Sequence, residues 1–245
     1  FKDMFPQKDK TSHYKELLVK KAAKIIAISE NTKKDIIDIF GIDESKIDVV
    51  YLGNSMLVKT NISLNFKLPD KYILFVGNRS GYKNFERFIK SISKILSEDR
   101  DLYAICAGGG IFKNNEIYLL SELKIKNKVL QYNVNDEELA YLYRNALAFV
   151  FPSLYEGFGI PILEAFACGC PVVCSNSSSF PEIAEEAAYY FDPYSENSIN
   201  YAIIKVSEDR KLRNELINKG YEKLKEFSWE KTAEQTKKVY EDLLK

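Results

Sequence analysis

A chain of 245 residues with 46% hydrophobic and 29% charged residues has the make-up of a soluble globular protein, long enough for one large or two small domains. Lys plus Arg and Asp plus Glu both total 35, so no net field draws it to nucleic acid or to an anionic membrane, and any phosphate site has to be built locally. No apolar run approaches the roughly 20 residues of a bilayer-spanning helix and no charged-then-apolar segment opens the chain, which points to a cytoplasmic protein without a transmembrane segment.

In chain order, a polar stretch from Gln7 to Ser12 leads to His13, the sole histidine, and then to amphipathic spacing that predicts a helix over 14–23. A surface or capping role suits His13 better than catalysis, because a general base needs a cleft with partners around it. A short apolar strand is predicted at 25–28, a helix at 32–40 and a strand at 47–51. The polar, weakly periodic stretch from Gly53 to Pro69 marks a boundary before a long α/β unit. There strands are predicted at 72–76, 102–107, 147–151, 171–174 and 188–191, each brief, apolar and rich in β-branched or aromatic residues. Between them, Phe85, Phe88, Ile89, Ile92, Ile95 and Leu96 fall on one helical face, and similar patterns predict helices at 116–123, 137–146, 198–206, 212–227 and 229–244. Ser228 is the expected N-cap of the last of these. The alternation of strand and helix is that of a Rossmann-like parallel sheet with helices on both faces.

The four cysteines, Cys106, Cys168, Cys170 and Cys174, contain no C-x-x-C pair and sit in or beside apolar stretches, so they read as small hydrophobes and not as a metal site. Gly108-Gly109-Gly110 follows the 102–107 strand without the Lys and Ser/Thr of a phosphate-binding P-loop; it is expected to shape one wall of a cleft.

The segment richest in chemistry is Phe151-Pro152-Ser153-Leu154-Tyr155-Glu156-Gly157-Phe158-Gly159-Ile160-Pro161-Ile162-Leu163-Glu164-Ala165. It leaves the carboxyl end of a buried strand and enters a helix, the place in a parallel sheet where ligands bind and where free N–H groups and the helix dipole favour an anion. Gly157 and Gly159 let a backbone approach a phosphate, so Gly157, Phe158, Gly159 and Ile160 are candidate ligand-binding residues. Pro161 suits the first helical turn, and Glu164, a turn later, projects beside the ligand. Glu156 brackets the same site from the other side. Alone, this is also compatible with an ordinary strand-turn-helix junction carrying solvated acids.

Glu156 and Glu164, separated by seven residues with the glycines between, resemble the signature of glycosyltransferase family 4 (group 1), the retaining enzymes of GT-B fold. The similarity extends upstream through Asp136-Glu137-Glu138-Leu139, Leu142-Tyr143 and Ala146. Downstream it takes in Cys168-Gly169-Cys170-Pro171-Val172-Val173, Ser175-Asn176, Phe180-Pro181-Glu182-Ile183-Ala184 and Phe191-Asp192-Pro193. The resemblance implies that Glu164 bonds the ribose hydroxyls of a nucleoside-diphosphate sugar while Glu156 contacts the transferred sugar. An oxocarbenium-like transition state leaving a diphosphate is served by a carboxylate at the ring and cations at the leaving group. Val76-Gly77-Asn78-Arg79-Ser80-Gly81-Tyr82-Lys83-Asn84-Phe85 resembles the family loop that clamps the diphosphate, with Arg79 and Lys83 as candidates, although Asn78 stands where many members have the arginine. Val129 to Asp136 corresponds to the loop beside the nucleotide base, with Asn133 in place of a commoner glycine.

Residues 22–36 resemble the closing elements of an N-terminal, acceptor-binding domain. The resemblance therefore implies a remnant of that domain and linker at 1–57, a nucleotide-sugar-binding Rossmann-like domain at 58–228, and a C-terminal helix at 229–245 that packs back toward the N-terminal domain. It also implies that the rest of that domain belongs to a longer chain or a second polypeptide. The expected function is retaining hexosyl transfer in polysaccharide biosynthesis, from a nucleotide-sugar donor (a mannosyl donor by family habit) to a glycan or lipid-linked acceptor, without a metal cofactor. Membrane association, if any, would be peripheral, through the N-terminal domain. A non-catalytic nucleotide-sugar-binding or interaction subunit, and a sugar epimerase or phosphorylase on the same fold, are the alternatives.

Overall fold

The computed structural model describes residues 11–244 apart from 60, 61, 63 and 80, and the side chains from Tyr14 onward. The side chain of His13 and the role expected of it lie outside the described residues.

The described residues begin with α1 (Thr11–Lys21), β1 (Ile25–Ala27), α2 (Glu30–Phe40) and β2 (Ile47–Val49), and β1 and β2 pair in parallel as a two-stranded sheet. α2 is bounded by its sequence. The Ser29 side chain accepts the Thr32 N–H as N-cap, and Gly41, at φ 63°, takes the left-handed conformation that ends the helix.

The second unit is a six-stranded, all-parallel sheet made of β3 (Lys71–Val76), β4 (Leu102–Ala107), β5 (Val129–Tyr132), β6 (Ala148–Phe151), β7 (Val172–Ser175) and β8 (Ala188–Phe191). Its spatial order is β5-β4-β3-β6-β7-β8, so the strand order reverses between β3 and β6. That reversal opens a crevice beyond the carboxyl ends of those two strands.

The strands are apolar on both faces because both are covered. Tyr72 and Leu74 of β3 and Phe149 and Phe151 of β6 point into one core with α5 (Asp136–Asn145) and α6 (Ile160–Ala167). Ile73, Phe75, Ala148 and Val150 point into the other with α3 (Phe85–Glu98) and α8 (Glu196–Glu208). Phe85, Phe88, Ile89, Ile92 and Leu96 are all buried, each such side chain contributing about 1.5–3 kcal/mol. α4 (Asn114–Glu122), α7 (Phe180–Ala184), α9 (Arg210–Leu224) and α10 (Trp229–Leu243) complete the fold.

Two elements differ from expectation. Residues 129–132, expected in a loop, form the edge strand β5, and Phe180–Ala184 forms a short helix where no element was predicted. Ser228 caps α10 through the Lys231 N–H at 3.2 Å. The start of that helix lies against residues 51–55: Trp229 Nε1–H donates to Ser55 Oγ at 2.6 Å and the Thr232 hydroxyl to the Tyr51 carbonyl at 2.7 Å.

Candidate active site

Two loops leave the strands that flank the crevice, residues 77–84 after β3 and 152–159 after β6, and they are stitched together. The Leu154 N–H donates to the Tyr82 carbonyl at 2.7 Å. Asn84, at φ 59°, donates from its side-chain amide to the carbonyls of Pro152 at 3.0 Å and Pro193 at 2.8 Å. The loops meet in an ion pair, Lys83 Nζ to Glu156 Oε1 at 2.6 Å, with both side chains only 15–16% exposed. The ammonium also lies 5.3 Å from the ring centres of Tyr82 and Phe151. A cation and a carboxylate expected to serve opposite ends of a breaking bond thus start as partners.

The backbone around Glu156 is held by a run of serines after β7. Ser178 Oγ accepts the Glu156 N–H at 3.0 Å, and Ser179 Oγ lies 3.0 Å from the Glu156 carbonyl and donates to that of Phe158 at 2.7 Å. The hydroxyls of Ser175 and Ser177 reach the carbonyls of Ser153 and Leu154 at 2.7 and 3.2 Å. The sequence did not single out these serines, the last residue of β7 and the loop that follows it, as site residues.

Glu164 lies on α6, half-buried, and accepts the hydroxyl of Tyr143 on α5 at 3.1 Å. Burial pushes its carboxyl above the usual carboxylate range, opposed by the Tyr143 hydrogen bond. Tyr143 is fully buried, so that hydroxyl has no solvent to turn to. Pro161 sits in the first turn of α6 and no side chain caps the helix, as the sequence suggests for an end that keeps its N–H groups for a ligand.

The glycines carry a different constraint from the one expected. A Cβ on Gly157 would lie 3.3 Å from Ile28 Cδ1, just ahead of α2, a tight contact that this side chain would have to relieve. Gly159, at φ 110°, has the Phe180 ring 3.2 Å from where its Cβ would be. Phe158 is buried, its ring 6.1 Å from that of Tyr51 and 5.9 Å from that of Phe227. Ile160, at the helix start, is exposed.

Arg79 is committed elsewhere. Its guanidinium is 2% exposed, pairs with Glu116 through Nε at 2.9 Å, and donates to the carbonyls of Gly108 at 3.0 Å, Gly110 at 2.8 Å and Ile111 at 3.1 Å. The rings of Phe112 and Phe85 lie 4.8 and 5.8 Å from it. It therefore organises the triglycine wall, and Lys83 is the cation left at the crevice between the two loops. An open groove of about 1110 Å³ runs beside this pair between α3 and α4, yet Lys83, Glu156 and Glu164 do not line it.

Among the described residues no helix is long and apolar enough to cross a membrane. The fold has counterparts in solved structures: sucrose-phosphate synthase from Thermosynechococcus elongatus superposes with a TM-score of 0.81 at 22% identity, over 97% of this chain and 63% of that one. The O-antigen chain mannosyltransferase B of Escherichia coli is 31% identical over 88% of this chain and 60% of its own length. The O-antigen chain mannosyltransferase RfbU of Salmonella typhimurium is 32% identical over 85% and 58%. The chain thus spans about three-fifths of the length of these curated relatives. The family model for glycosyl transferases group 1 matches residues 59–223, which contain the whole six-stranded sheet, Lys83, Glu156 and Glu164. With that match over most of its length, the chain belongs to the group 1 glycosyltransferases.

Proposed function

We propose that the crevice between β3 and β6 holds a nucleoside-diphosphate sugar and that the protein transfers the sugar with retention of configuration to a glycan or lipid-linked acceptor. The observation that carries this reading is the Lys83–Glu156 pair at the mouth of the crevice, with the half-buried Glu164 on the helix behind it. The diphosphate takes Lys83 and the free N–H groups at the start of α6, with no divalent ion assigned to it. Glu164 accepts the ribose hydroxyls. Glu156, released from Lys83 as the phosphate arrives, faces the ring carbon that becomes positive as its bond to the phosphate oxygen breaks. A mannosyl donor is the choice suggested by the names of the two O-antigen relatives.

A thermal-shift screen against GDP, UDP and ADP tests the reading. At least one should raise the melting temperature, because a ligand bound to the folded state stabilises it by mass action; no shift with any of the three counts against it. Lys83→Ala should then weaken binding of that diphosphate by about 1–3 kcal/mol, the range for a charged hydrogen bond. Unchanged affinity in calorimetry would remove Lys83 from the site.

A second expectation follows from Glu164. A ribose hydroxyl donates to the carboxylate form, so affinity should fall as the pH drops through the raised pKa of this group. The Tyr143 hydroxyl stabilises the charged form. Removing it in Tyr143→Phe raises that pKa further, and the loss of affinity should set in at a higher pH than in the wild type. Coincident pH profiles for diphosphate binding would show that Glu164 is not the titrating group.

A further inference from the structure

The loop carrying Glu156 is gripped from two directions, and the second grip comes from outside the six-stranded unit. The Ser29 hydroxyl donates to the Gly157 carbonyl at 2.7 Å while accepting the Thr32 N–H, and the Thr32 hydroxyl donates to the same carbonyl at 3.1 Å. Ser29 is completely buried. On the other side of Glu156, the Tyr155 hydroxyl donates to Asp35. The grip is reciprocal. The Glu182 carboxylate accepts the N–H groups of Glu30 at 2.6 Å and Asn31 at 3.1 Å at the positive end of α2, and the Tyr51 hydroxyl at 2.8 Å.

We propose that Ser29 and Thr32 are positioning residues for Glu156, acting through the Gly157 carbonyl, so that the first turn of α2 sets where the sugar-side carboxylate stands. The proposal rests on the donor reading above. The Gly157–Phe158 peptide, fixed at its carbonyl by two hydroxyls, cannot rotate without breaking both bonds, and Glu156 precedes the glycine that carries that carbonyl. The approach is close, since a Cβ on Gly157 would come within 3.3 Å of Ile28 Cδ1. The diphosphate side of the site, Lys83 and the start of α6, makes none of these bonds to α2. Lys83 starts paired with Glu156; once a diphosphate takes the lysine, the sugar-side carboxylate is the part left to answer to the placement of α2.

The test separates those halves. Affinities for GDP, UDP and ADP, and for GDP-mannose, UDP-glucose and ADP-glucose, are measured by calorimetry in the wild type and in Thr32→Val, Thr32→Ser and the Ser29→Ala/Thr32→Val pair. Hydrogen exchange of the Glu156 amide is followed in each. For the matching base, the paired variant should bind the diphosphate within about twofold of wild type. The preference for the sugar nucleotide should fall roughly tenfold, the size expected for a hydrogen-bonded restraint removed from a carboxylate. The Glu156 amide should exchange faster. Thr32→Val should shift both readouts in the same direction, and Thr32→Ser, which keeps the hydroxyl, should restore them. Because Ser29 also caps α2, the Thr32 variants decide the matter if the pair does not fold. Equal losses for diphosphate and sugar nucleotide, or no change in either readout, would overturn the proposal and leave a packing contact. A wild type that binds none of the six ligands would overturn the donor reading, and the positioning role with it.

Discussion

Replacing Arg79 by alanine is expected to cost about 3–5 kcal/mol of stability, the penalty for removing one partner of a buried ion pair. The guanidinium and the Glu116 carboxylate are 2% and 8% exposed, so the variant leaves a carboxylate with little water to solvate it. It also strips this donor from the carbonyls of Gly108, Gly110 and Ile111, in a loop that has no regular secondary structure to satisfy them. Arg79→Lys should recover little of this, because one ammonium cannot bond a carboxylate and several carbonyls in a plane as the forked guanidinium does. Urea unfolding gives the measurement. A loss below about 1 kcal/mol, coupled to a large loss of nucleotide affinity, would instead move Arg79 to the phosphate, the role its place in the sequence suggests.

Gly53→Ala should destabilise the fold by about 3 kcal/mol, the upper end of what overpacking costs. An added Cβ would sit 2.3 Å from the Trp229 nitrogen and 2.6 Å from the Ser228 carbonyl carbon. Both are backbone atoms, fixed by the N-cap of α10, so no rotamer change relieves the clash and the helix has to move. The consequence is visible separately from stability, since Trp229 is the only tryptophan and its indole N–H is bonded to Ser55. Its emission should shift to the red as the ring loses that packing. An unfolding midpoint and emission maximum equal to those of the wild type would show that residues 51–55 and α10 are not in register as described.

The parallel sheet was legible because its central strands are buried on both faces: Tyr72 to Val76, Leu147 to Phe151 and Pro171 to Cys174 stand out as short apolar runs. The edge strand β5 was not. In Val129–Tyr132 only Val129 is buried, β4 is its one partner, and Gln131 interrupts the apolar run. α7 is too short for any helical repeat to show.

Of the site, Lys83, Glu156 and Glu164 could be named from their motifs because the motif residues lie close together in the chain. What holds them could not. The Arg79–Glu116 pair spans 37 residues and the Ser29–Gly157 bond spans 128, and a lone Ser, Thr or Glu in a sequence gives no sign of which distant carbonyl or amide it will meet. The glycines show the same limit: their presence in the loop was plain, but the side chains that crowd them, Ile28 at Gly157 and Phe180 at Gly159, come from other elements.

In the proposed complex a nucleoside diphosphate lies across Lys83 and the start of α6 with Glu164 at the ribose. The deciding measurement is a crystal structure of the protein with the diphosphate that gives the largest thermal shift. The expected result is a ribose hydroxyl within about 2.5–3.0 Å of a Glu164 carboxylate oxygen, a phosphate oxygen on Lys83 Nζ, and a Glu156 side chain no longer paired with that lysine. A nucleotide bound elsewhere, with the Lys83–Glu156 pair intact and Glu164 beyond reach of any ribose hydroxyl, would contradict it.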